Sequence, residues 1–98
     1  MSEYIISQPA IRDLESIVSY LAKSNCEAGE TLLKSFNKRC QQLSRFPNMG
    51  RSYNDLQAGL RGLPLEGYII LYRVLKDGLE IVRVANGRQS LASLFKDI

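Results

Sequence analysis

Histidine is absent from this 98-residue chain, and cysteine occurs only as Cys26 and Cys40. The side chain that most often shuttles protons and binds metals is therefore missing. Thirteen residues separate the two thiols, so neither a CxxC pair nor a zinc site is expected. Cys40 stands at helical spacing from Phe36 and Leu43 and reads as a small buried hydrophobe, whereas Cys26 lies at an expected helix break as a free thiol. Both suit a reducing compartment. Long apolar runs are missing as well. The longest, Tyr68 to Tyr72, falls far short of the roughly 20 residues that cross a bilayer. No basic, apolar and small-residue series marks a secretory leader, so a soluble, cytoplasmic protein without a membrane partner is expected. The seven glycines form neither GxGxxG nor GxxxxGK[ST], and no serine sits in a GxSxG elbow. No cofactor and no metal are expected. Without repeats or a linker that divides the chain, residues 1–98 read as one domain.

What is present is material for a single modest core: 45% hydrophobic and 23% charged residues. Thirteen Lys and Arg against ten Asp and Glu leave a net charge of +3, compatible with an anionic partner but too mild to require one. The halves are nearly even, +1 over residues 1–50 and +2 over 51–98. They differ in the kind of cation, since five of the seven basic residues in the second half are arginines (Arg51, Arg61, Arg73, Arg83 and Arg88). Their planar forks bind phosphate or carboxylate through two bonds.

Hydrophobic spacing predicts the elements. Glu3 to Ser7 favours a strand, and Ser7 followed by Pro9 predicts a helix start. Ile11, Leu14, Ile17, Val18 and Leu21 form one stripe ending near Lys23 to Asn25, with Arg12, Asp13, Glu15 and Lys23 pointing elsewhere. A second helix is expected over about Glu27 to Phe46, its inner stripe being Ala28, Leu32, Phe36, Cys40 or Arg39, and Leu43, with Pro47 as its stop. Two such stripes facing one another make a thin core, so a sheet must cover them. Leu60 to Leu65, interrupted by Gly62 and Pro64, reads as an edge or irregular strand. Tyr68 to Leu75 and Leu79 to Val84 read as a hairpin around Lys76, Asp77 and Gly78.

If residues 75 and 79 stand opposite, Tyr68, Ile70, Tyr72, Val74, Val82 and Val84 share the helix-packing face. Ile69, Leu71, Arg73, Leu79, Ile81 and Arg83 then share the other. A two-residue Asp77-Gly78 turn would shift that register by one. Leu91, Leu94 and Phe95 allow a last helical turn or two within Leu91 to Ile98.

Cutting RNA at a 2′-hydroxyl needs a base, an acid and cations around the phosphorus. The cations are present as Arg61, Arg73, Arg83 and Arg88, while the proton-transfer candidates reduce to Glu66, Glu80, Lys76, Tyr68 and Tyr72, none within a specific motif. Tyr68 and Tyr72 read first as core aromatics with the hydroxyl at an edge, and Glu66 and Glu80 as solvated charges. The residues favour a binding protein over an enzyme.

Taken together, Gly59-Leu60-Arg61, Pro64, Tyr68 to Val74, Asp77-Gly78, Glu80 to Val84 and Gly87-Arg88 resemble the ParE branch of the RelE/ParE toxins. Ala10, Asp13-Leu14, Ile17, Tyr20, Leu43, Pro47 and Gly50 fit the same pattern, so the likeness covers roughly residues 3 to 90. It implies an α+β fold in which an N-terminal strand and a two-helix hairpin pack on a small antiparallel sheet. It also implies the toxin of a type II toxin-antitoxin pair. ParE relatives stall DNA gyrase in a cleaved-DNA state; RelE relatives are ribosome-dependent messenger RNA endonucleases. Where the RelE pattern has arginine after the glycine and tyrosine of the central strand, this chain has Ile69, and where it has a C-terminal tyrosine, Leu94 or Phe95 stands.

Gyrase inhibition is therefore the expectation, with an RelE-like nuclease or an inactive antitoxin-binding homologue as alternatives. Arg88 matches a basic position of both branches, and Asn86 stands where histidine is common. The resemblance implies target contacts through Arg73, Arg83, Arg88 and Asn86. It also implies a ParD-like antitoxin on Ile17, Leu21, Arg61, Arg73 and Arg83, joined with the toxin in a hetero-oligomer.

Overall fold

Ser7 and Pro9 begin the first helix as their chemistry requires: the Ser7 hydroxyl accepts the Ala10 N–H at 3.2 Å, and Pro9 occupies a first-turn position that needs no intrahelical donor. The computed structural model describes residues 3–88 and 90–95. Its elements run β1 (Glu3–Ile6), α1 (Gln8–Ala22), α2 (Cys26–Arg45), β2 (Arg51–Ser52), β3 (Leu60–Leu65), β4 (Tyr68–Leu75), β5 (Gly78–Asn86) and α3 (Leu91–Leu94). Asn25 caps α2 through the Glu27 N–H at 2.9 Å, and the chain turns away at Phe46 and Pro47. Of the helical turn or two that Leu91, Leu94 and Phe95 allow, the structure forms one over Leu91–Leu94; positions 96–98 lie outside the described residues.

The five strands lie in the order β1-β5-β4-β3-β2. β2 through β5 are antiparallel, and β1 adds itself parallel to β5, Glu3 to Ile6 facing Gly78 to Ile81. Leu60–Leu65 is more regular than its Gly and Pro suggested, because all six residues pair with β4 while Arg51 and Ser52 cover its first half. Pro64 sits in the half that β2 leaves open, where no ladder N–H is missed. Gly62 is required by proximity: a Cβ there would lie 2.6 Å from the Tyr53 ring.

Two register expectations are corrected. The β4–β5 loop is only Lys76-Asp77, with Leu75 opposite Gly78, because β1 draws Gly78 into the ladder opposite Glu3. The bare Gly78 Cα permits that approach, since a Cβ would collide with the Glu3 carbonyl. Further along, the register shifts between Leu71 and Tyr72: Tyr72 faces Ile81, Leu71 faces Arg83, and Val82 is left without a partner. Beyond that bulge Ile70 faces Val84, the pairing expected from the sequence. Leu79 and Ile81 thus join the helix-covered face, and Val82 moves to the other.

That helix-covered core sets Ala10, Leu14, Leu32, Phe36, Cys40 and Leu43 against Leu63, Leu65, Ile70, Tyr72, Leu79, Ile81 and Val84. Each large apolar side chain so enclosed stabilises by about 1.5–3 kcal/mol. Ala10 replaces the expected Ile11, which is exposed on the flank of α1. Cys40 is fully buried, as expected, and burial pushes its thiol up to about 12. On the opposite face Leu60, Leu71 and Ala85 are covered by Tyr53, Leu56 and the α3 residues Leu91 and Leu94, with Phe95. No described helix is long and apolar enough to cross a membrane.

Candidate partner-binding site

β1 is only four residues long, so the outer edge of β5 beyond Ile81 has no strand beside it. The N-cap and first turns of α1 complete that edge with main-chain and side-chain groups. Ser7 donates its N–H to the Ile81 carbonyl at 3.0 Å and its hydroxyl to the Val82 carbonyl at 2.7 Å. Two successive carbonyls facing one edge is what the bulge produces. Just under two helical turns later, Asp13 accepts the Val84 N–H at 3.0 Å on Oδ2. The same carboxylate takes Arg83 in a fork, Nε to Oδ2 at 2.7 Å and Nη2 to Oδ1 at 2.8 Å. That bond raises the Arg83 pKa above its ordinary value, against the opposing effect of burial.

This corrects two expectations. Asp13 does not point away from the packed side of α1, and Arg83, expected on one sheet face with Arg73, is held by Asp13. The bulge and the uncovered edge bring Arg83 to the helix instead. Arg73 pairs across the hairpin with Glu80, Nη2 to Oε1 at 3.0 Å, so Glu80 is not a purely solvated charge. Arg61 is engaged elsewhere: Nη1 donates to the Asn48 and Gly50 carbonyls at 3.2 and 2.7 Å. Its strand neighbour Tyr72 donates to the Pro47 carbonyl at 2.7 Å and accepts the Gly50 N–H at 2.9 Å. Burial raises the Tyr72 pKa, opposed by the Gly50 bond and the Arg61 charge. Together they brace the turn between α2 and β2.

Asn86 and Arg88 form a different arrangement. Asn86 Oδ1 accepts the Arg88 N–H at 2.9 Å, a local turn that leaves both side chains exposed, and Gly87 N–H ties it to the Gly67 carbonyl at 2.9 Å. Gly67 belongs to the Glu66-Gly67 hairpin turn, whose two positive φ angles (50° and 85°) match a type I′ connection. The two turns thus stand side by side at one end of the sheet.

An open groove of about 320 Å³ runs from this end along α1, lined by Asp13, Ser16, Ile17, Tyr20, Tyr68, Val84 and Asn86. A second, of about 290 Å³, continues past Tyr68 between the helices, where Leu21, Ala28, Thr31 and Leu32 line it with Glu66. Tyr68 belongs to both, so Ile17 and Leu21 lie along one continuous depression, and Tyr20 stands 67% exposed at its rim.

The structure therefore brings Ile17, Leu21 and Asn86 together, with Arg83 beneath them on Asp13. Arg61, at the α2–β2 turn, and Arg73, at the far hairpin, are not part of that groove. Sequence reasoning missed Asp13 and Tyr20 as elements of the site. The signals were present: a carboxylate bordering the Ala10, Leu14 and Ile17 stripe, and a tyrosine on a helix flank otherwise polar.

A family model described as the ParE toxin of the type II toxin-antitoxin system parDE matches residues 4–91. The chain belongs to the ParE toxin family. Toxin ParE3 of Caulobacter vibrioides is 29% identical over 94 residues, covering 95% of this chain and 94% of that protein. Among solved structures, a chain of the chromosomal ParDE TA system from P. aeruginosa superposes with a TM-score of 0.73 at 21% identity, covering 88% of this chain and 96% of that one. The likeness confirms the α+β arrangement expected from the sequence. As a type II toxin the ParE chain has an antitoxin partner, and the groove beside α1 is where its free apolar surface and its exposed turn meet.

Proposed function

We propose that this ParE toxin arrests growth by poisoning DNA gyrase, and that a ParD-like antitoxin neutralises it by laying an amphipathic helix in the groove over Ile17 and Leu21. The observation that carries the reading is the Asn86-Gly87-Arg88 turn. It presents an exposed guanidinium on a backbone tied to Gly67, next to the groove. Arg88 and Asn86 make the first contact with the target. Arg73, 41% exposed at its side chain, adds a weaker contact, and Arg83 serves by holding the strand that presents Asn86. An antitoxin helix along α1 would touch Asn86 directly, so neutralisation and target blockade fall on adjacent residues.

Two of the residues that an RNA-cleaving mechanism would draw on are already engaged. Tyr72 spends its hydroxyl between Pro47 and Gly50 with its proton held by burial, and Glu80 is paired with Arg73. Both facts favour binding over proton transfer. The gyrase reading places the protein in the cytoplasm, in a hetero-oligomer with its antitoxin. The test is purified gyrase with supercoiled plasmid and ATP. Accumulation of linear cleaved DNA, reversed by antitoxin and lost in Arg88→Gln, is expected. Unaffected gyrase together with freshly cut messenger ends in arrested cells would establish the RelE-like alternative instead.

A further inference from the structure

Dividing the chain by its fold reveals a charge concentration that the near-even halves conceal. Lys34, Lys38, Arg39, Arg45, Arg51 and Arg61 face a single acid, Asp55, so residues 34–61 carry +5 and the remaining residues carry −2. In the fold this segment is the C-terminal half of α2, the turn after it, β2 and the start of β3, which together frame the β3 edge of the sheet. None of the six cations is in an ion pair among the described residues, whereas Arg73 and Arg83 both are. Net positive charge is therefore concentrated at this edge, with Glu66 as the acid on its groove wall, while the rest of the chain is net negative.

The arrangement is ordered. Lys34, Lys38 and Arg45 recur at steps of four and seven residues, placing them in one line along α2, about 6 and about 10 Å apart along its axis. All three are exposed. Arg51 is held in place by its stack on Tyr53, with the guanidinium carbon 5.4 Å from the ring centre. Beside the line, an open groove of about 240 Å³ is walled by Ser35, Lys38, Arg39, Gln42 and Glu66, and Leu65 is its single apolar side chain.

We propose that this edge binds the phosphate backbone of duplex DNA directly, without gyrase. A protein partner anchors itself through apolar or aromatic side chains in pockets, and here the groove offers only Leu65. Single strands are held by stacking their bases on successive aromatic platforms; at this edge Tyr53 already carries Arg51, which leaves Phe46, exposed just past Arg45, as a lone ring rather than a series. Cations lined up on one face of a rigid helix suit the phosphate rows of a duplex, and such contacts need no base readout. The line of Lys34, Lys38 and Arg45 lies outside the apolar groove beside α1, which meets the basic groove only at Glu66, so the toxin can hold DNA while its antitoxin is bound.

The test is fluorescence anisotropy of purified toxin on a labelled duplex of about 24 base pairs, across roughly 50–200 mM salt. A Lys34→Gln, Lys38→Gln, Arg45→Gln triple variant is expected to lower the log–log salt slope by about 2–3 and to weaken binding roughly 10- to 100-fold, since each lost phosphate contact removes close to one unit of slope. Lys38→Gln alone should remove about one unit, which keeps the test readable if the triple variant folds poorly. A control losing the same charge on other surfaces, Arg12→Gln, Lys23→Gln, Lys76→Gln, should leave the slope within about one unit of wild type. Failure of the wild type to bind duplex at the lowest salt, an equal loss in the control, or tighter binding to single-stranded RNA or to polyglutamate of matched charge would overturn the proposal. No gyrase is present, so these outcomes are independent of the gyrase reading.

Discussion

The middle of β5 and the turn beyond it each carry an arginine, and the chain treats the two in opposite ways. Arg83 is gripped through two bonds by Asp13, which also takes the Val84 N–H, so the cation joins helix to strand where β1 has run out. Arg88 lies five residues on, in a turn made by Asn86, where its backbone is held and its side chain is exposed. The same residue type is a fastener in one region and a free contact in the other. What separates them is the edge: an uncovered strand must satisfy its backbone groups and recruits nearby side chains to do so, whereas a closed turn satisfies its own.

The strongest way to break this contrast is Asp13→Ala. It strands a partly buried guanidinium and the Val84 N–H, and should cost about 2–4 kcal/mol, somewhat below the usual range for broken buried pairs because both groups keep some solvent contact. Chemical denaturation of the toxin–antitoxin complex and of the toxin alone would measure it; a loss below about 0.5 kcal/mol would show that the grip is incidental. Next comes Tyr72→Phe, at the other pinned arginine. It leaves the Pro47 carbonyl and Gly50 N–H unpaired behind Arg61, with an expected loss of about 1–3 kcal/mol.

A third measurement concerns the core that both regions rest on. Burial raises the Cys40 pKa from 9.0 to about 12, so the folded state disfavours the thiolate. Stability is unaffected below pH 9 and should fall by up to about 1.4 kcal/mol per pH unit as pH rises from 9 toward 12. Tyr72, also raised, steepens the decline above pH 10. Denaturant midpoints of wild type and Cys40→Ala should converge across that range, the variant starting lower and showing the flatter slope. Arg73→Gln removes only a half-exposed pair and should cost less than about 1 kcal/mol. Smallest in stability is Arg88→Gln, expected within about 0.5 kcal/mol of wild type, yet it should abolish growth arrest on induction without weakening antitoxin binding. Retained toxicity in that variant would remove the free turn from the functional site.

Much of this was legible before any coordinates. Ser7, Pro9 and the Leu14, Ile17, Leu21 spacing marked α1; Phe36, Cys40 and Leu43 marked the inner stripe of α2; β4 was read to its last residue. Ile17 and Leu21 belong to the α1 stripe and line the groove. Arg83 was named for its charge and not for its place, because the sequence contains no sign of the bulge that leaves Val82 unpaired. The basic edge is hidden in the sequence for a related reason. Dividing the chain at residue 50 cuts through the segment that carries it, and only the packing of α2 against β3 brings its two parts to one side.

Periodicity, caps and turn chemistry are local, acting over a few residues, and by themselves they determined the helices, the main strands, the buried cysteine and the resemblance to a toxin family. The parallel pairing of β1 with β5, the two-residue hairpin and the union of Asp13 with Arg83 across 70 positions were decided by the tertiary structure alone. Each depends on which backbone groups remain unpaired once the sheet has formed, and that accounting closes only when distant segments meet.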